Sequence, residues 1–121
     1  MMYVLVKLGG FCASQCQVLA ASKNGERLEA EAKRLLEENE LNRMVDSEIW
    51  QLSDKLISEH PFTLPKPEDS DQVVEWQNLG FRHANQLKDQ AQREVLVRHG
   101  KQQQEPFDHN LVLDIWETKE L

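Results

Sequence analysis

Two cysteines, Cys12 and Cys16, and four histidines, His60, His83, His99 and His109, are the side chains of this chain best suited to bind a metal or attack an electrophile. A structural zinc site draws four ligands from close pairs such as C-x2-C and H-x3-H. Here the cysteines are spaced C-x3-C and no two histidines lie within five residues of each other. Nucleophilic catalysis by either thiol would need a base or a helix amino terminus beside it to form the thiolate. Neither is visible in the spacing. The bland reading, small apolar thiols near a hairpin and solvent-facing imidazoles with His99 at a helix end, accounts for the same residues.

Other chemistry fares no better. Gly9-Gly10 precedes Phe11 without a helix directly after it, and neither G-x-x-x-x-G-K-[ST] nor G-x-G-x-x-G is present. Adjacent carboxylates such as Glu37 with Glu38 or Asp69 with Asp71 lack the converging cleft that separates two pKa values for acid/base work. Glu68-Asp69-Ser70-Asp71 is not the twelve-residue calcium loop. The expectation is a protein that is not an enzyme and takes no cofactor.

Charge is the more informative signal. Of a net −7, the stretch from Leu36 to Glu75 contributes eleven carboxylates against three basic residues, a local balance of −8. Such a surface repels nucleic acid and anionic membranes and can steer a basic partner. The plain alternative is a solvated face that keeps the protein soluble.

The elements that must position these residues follow from periodicity. Met2 to Leu8 is rich in β-branched and aromatic residues and predicts a strand, with Gly9-Gly10 opening a turn and Cys16 to Ala21 returning as a second strand. This amino-terminal hairpin would hold both cysteines in or beside its loop. Ser22 or Asn24 can cap a helix to about Asn39, with Leu28, Ala32, Leu35 and Leu36 on its apolar side and opposite charges four residues apart on its wet side. Asn39 to Asn42 weakens the pattern. A second helix is predicted from Asp46 or Ser47 to the residue before Pro61, carrying Ile49, Leu52, Leu56 and Ile57.

Three prolines between His60 and Pro67 predict an extended connector over residues 60–69. Ser70 then opens a long third helix to His99, and Gly100 stops it. Leu111 to Thr118 alternates as a strand, with Leu111, Leu113 and Ile115 on one side and Val112, Asp114 and Trp116 on the other. The fold class expected is α+β: a small three-stranded antiparallel sheet, hairpin plus carboxy-terminal strand, covered by about three helices in a single domain over 1–121. Trp50, Trp76 and Trp116 fall on different elements and read mainly as core.

Lys7 and two glutamines interrupt the amino-terminal apolar stretch, which argues against a signal peptide, and the longest apolar run, Met1 to Val6, is far shorter than a membrane span. Two cysteines without a disulfide framework suit a reducing, cytoplasmic setting. The functional expectation is an acidic protein-interaction module acting as an inhibitor, immunity-type protein or nucleic-acid mimic. Its contacts would be Glu37, Glu38, Glu40, Asp46, Glu48 and Asp54, with Trp116 as the aromatic anchor. The partner would be a basic protein, a nucleic-acid-binding one included, with no direct nucleic-acid or membrane contact by this chain. The alternative is a homodimer or larger assembly using the long third helix or the edge strand.

Overall fold

The computed structural model describes residues 1–9 and 16–118, and its elements are β1 (Met2–Leu8), β2 (Gln17–Ser22), α1 (Gly25–Glu59), α2 (Ser70–Arg98) and β3 (Val112–Thr118). The expectation of about three helices is corrected to two. Residues assigned to a first and a second helix belong to one, and the expected third helix is α2. The pair Asn39 and Asn42 that weakens the apolar pattern does not break α1. Asparagine costs only about 0.7 kcal/mol or less in a helix interior, whereas glycine and proline are the true breakers. Between Gly25 and Pro61 the sequence has neither.

The chain divides into two compact units, residues 1–43 with 106–121 and residues 44–105. In the first, the strands run antiparallel in the order β2-β1-β3. β1 and β3 keep one register over seven pairs, from Met2↔Thr118 to Leu8↔Val112. β1 and β2 slip between Leu5 and Val6, so that Leu5 faces Ala20 while Val6 faces Val18. Leu5, Val6 and Leu28 are buried. One face of the sheet is turned to the opening part of α1: Lys7, Leu111 and Leu113 share a cleft with Leu35, Asn39 and Asn42. An N-terminal turn at Asn24, whose Oδ1 accepts the Glu26 amide at 3.1 Å, starts the helix.

Asn39 and Asn42 bind the loop that leads into β3. Asn39 accepts the Asp108 amide at 2.8 Å and donates to the Asp108 carbonyl at 3.0 Å, and Asn42 donates to the Pro106 carbonyl at 3.5 Å. Lys7 Nζ closes the same corner on the Asp108 carboxylate at 2.8 Å.

In the second unit, Val45 and Ile49 of α1 pack with Val95 and Leu96 of α2, and Leu52 borders them. The proline-rich connector forms neither helix nor strand over residues 61–67 and lies against α2. Phe62 stands 6.2 Å from the Trp76 ring and 5.9 Å from His83, and the Trp76 indole N–H donates to the Leu64 carbonyl at 2.8 Å. The cap of α2 is Asp69 in place of the expected Ser70: its carboxylate accepts the Asp71 amide at 3.0 Å. At the other end Gly100 adopts φ 65° and Lys101 N–H bonds the Leu96 carbonyl at 2.9 Å, the Schellman closure that a glycine permits. Among the described residues no helix is long and apolar enough to cross a membrane.

Candidate functional site

The acidic residues singled out from the sequence all lie on α1, three in each unit. In the first unit Glu37 is exposed with Lys33 at 4.0 Å, Glu38 pairs with Arg34 at 2.9 Å, and Glu40 takes a two-pronged contact from Arg43. Arg34 is shared, because it also grips Glu31 through two nitrogens. Successive helical residues are about 100° apart, so Glu37 and Glu40, three residues apart, share a side of α1 while Glu38 points to another. In the second unit Asp46 accepts a hydrogen bond from Gln104, Glu48 lies 2.8 Å from His99 Nε2, and Asp54 is exposed.

These local pairs set the electrostatics. The hydrogen bond from Arg34 holds the Glu31 carboxyl below the usual carboxylate range, with its charge adding to the effect and partial burial opposing it. Arg43 does the same to Glu40. The guanidiniums move the other way, raised first by those hydrogen bonds and then by the attraction of the same carboxylates. Both pairs sit in solvent, where such contacts contribute little to stability.

Cys16 is a free, half-buried thiol just before β2, and Cys12 lies outside the described residues, as does the loop expected to hold both. The histidines go to separate tasks. His83 Nε2 donates to the His60 carbonyl, His99 meets Glu48, and His109 stacks edge-on against Phe107 at 5.0 Å. Among the described residues no three of His, Cys, Asp and Glu converge as a metal site. The cleft beneath the sheet measures about 240 Å³, and of its three charged groups Lys7 pairs with Asp108 and Glu38 with Arg34.

The three indoles divide differently from the core expectation. Trp76 is half-buried against Phe62, while Trp50 is exposed with Lys88 Nζ 4.3 Å from its ring centre. Trp116 is 43% exposed and lies on the face of the sheet opposite α1. Strand alternation places Val4, Val6, Val112, Asp114 and Trp116 on that face, and the register slip brings Val18 to it. Val6 at its centre is fully buried, whereas Val18 (62%) and Val112 (50%) beside it are open. The Asp114 carboxylate is tied down within the strand: Oδ1 accepts the Ile115 amide at 2.8 Å and Oδ2 the Trp116 indole N–H at 3.1 Å. This apolar face, buried at Val6 and open at Val18, Val112 and Trp116, is the most pronounced candidate surface among the described residues of the first unit.

Sequence reasoning had Val112, Asp114 and Trp116 on one side of the last strand. It missed Val18, because the slip that brings it there depends on pairing with β1. No protein-family model matches the chain, and neither the curated proteins nor the solved structures hold a similar one.

Proposed function

We propose that the chain is a non-enzymatic protein-interaction module. In this reading a basic partner protein docks on the open part of the sheet face, at Val18, Val112 and Trp116, and the carboxylates of α1 draw that partner in. The observation that carries it is the exposure of Val18, Val112 and Trp116 on one face. Tryptophan is enriched at binding hot spots, and an indole whose N–H is already satisfied by Asp114 offers its ring as apolar surface without leaving a buried donor unpaired. The net charge of −7 argues for a basic partner, since complementary charge raises the rate of encounter more than it raises final affinity.

The test is capture of partners from host lysate on three immobilised forms: the parent chain, Trp116→Ala, and the triple variant Glu37→Lys, Glu38→Lys, Glu40→Lys. The expected result is a basic protein held by the parent, captured more slowly as the Debye length falls from about 10 Å at 0.1 M salt to about 3 Å at 1 M, and lost from Trp116→Ala. Association with the triple variant should be slower. Equal capture by all three forms would sink the reading.

A second reading, self-assembly through α2, is favoured by Val74 and Phe81. They stand seven residues apart on one side of that helix, and both are largely exposed. A single-chain mass at every concentration counts against it.

A further inference from the structure

β3 is an outer strand of the sheet, and an outer strand presents a row of unpaired amides and carbonyls to any other extended chain. β2, the other outer strand, carries the register slip opposite Leu5 and Val6, a bulge-like irregularity that disturbs its edge. β3 has no such device: its register is unbroken, and Val112–Thr118 contains neither proline nor lysine.

One side chain takes their place. Asp114 sits at mid-strand, and its carboxylate accepts the backbone amide of the next residue, Ile115, as well as the indole of Trp116. Successive residues of an antiparallel strand send their amides to opposite sides. An amide of an outer strand that bonds its own strand's side chain lies on the open side, and Glu117 shares its parity. We propose that Asp114 is an edge guard: it occupies the central open amide of β3, pins Trp116 over the same stretch, and so excludes a second copy of this chain from pairing with β3.

The excluded partner is a second copy because β3 is otherwise complementary to itself. In an antiparallel pair centred on Ile115, Asp114 faces Trp116 and Leu113 faces Glu117, so no like charges oppose each other. Among the described residues of β3, it is the occupied amide and the cost of freeing it that stand in the way. This inference is independent of the docking function proposed above and needs no partner protein to test it.

Sedimentation velocity over a concentration series on the parent, Asp114→Ala and the double variant Asp114→Ala, Glu117→Pro provides the test, with circular dichroism as the check on folding. Asp114→Ala should lower the self-dissociation constant by about tenfold or more, because the incoming strand no longer displaces a charge-assisted hydrogen bond. Adding Glu117→Pro, which removes a neighbouring open amide without touching the β1 ladder, should return it to the parent value. Unchanged association of Asp114→Ala, or association that the proline does not reverse, overturns the proposal. Hydrogen exchange on the unaltered protein gives a readout that does not depend on the variants folding: the Ile115 amide should exchange more slowly than the Glu117 amide, and equal rates also overturn it.

Discussion

Asn39 bonds both the amide and the carbonyl of Asp108, so one side chain fixes a main-chain segment remote in sequence. Each such bond contributes about 0.5–1.5 kcal/mol net, and this one is partly open to water. Asn39→Ala should therefore lower stability by about 1–2 kcal/mol, seen as a lower urea midpoint at unchanged m-value. The arginine pairs make a different prediction. Glu31 and Glu40 have folded-state pKa values below their unfolded ones, so whatever they contribute to stability is present above the unfolded value. It is lost as pH falls through the lower, folded one. Titration followed by NMR should place both carboxyls below ordinary glutamates, and Arg34→Met and Arg43→Met should each return the corresponding glutamate to the ordinary range. A midpoint that stays low in either variant would assign the shift to another cause.

Among the elements, α1 is the one whose continuity the pattern of apolar residues disguised. Its limits are visible in the sequence as Asn24-Gly25 at the start and Pro61 beyond the end, but its middle is polar where Asn39 and Asn42 turn to the loop 106–108. Leu41 lies in that stretch and is exposed, so a proline there tests the backbone and not the packing. Leu41→Pro should cost about 3 kcal/mol through the lost amide and the clash with the preceding turn. If two separate helices met at this point, the cost would be near zero. The end of α2 offers a second test. Gly100 has φ 65° and nothing lies within 4 Å of where a Cβ would stand, so Gly100→Ala meets backbone strain alone, about 1–2 kcal/mol. Gly100→Asn should cost less, because asparagine tolerates the left-handed region. Thermal melts of the two variants decide it.

For the molecule as a whole, the two units have distinct buried sets: Leu5, Val6 and Leu28 in one, and Val45, Ile49, Val95 and Leu96 in the other. Leu5→Ala and Ile49→Ala should each cost about 2–5 kcal/mol. Hydrogen exchange should show protection falling most in β1 for the first and in α2 for the second; uniform loss in both variants would mean that the chain unfolds as one cooperative body. Much of this architecture was legible in the residues. β1, β3 and α2 follow from alternation, helical spacing, the prolines of the connector and Gly100, because these act through local backbone geometry and side-chain period. The number of helices was not legible, since the reason for two asparagines in mid-helix lies in their long-range bonds to Pro106 and Asp108. The candidate surface was half legible. Alternation alone sets Trp116 beside Asp114 and Val112, but the exposure of that face, the arrival of Val18 and the Asp114 bond to the Ile115 amide depend on which strands lie at the edges and in what register. Pairing between segments far apart in sequence is settled by packing of the whole sheet, and no local pattern encodes it.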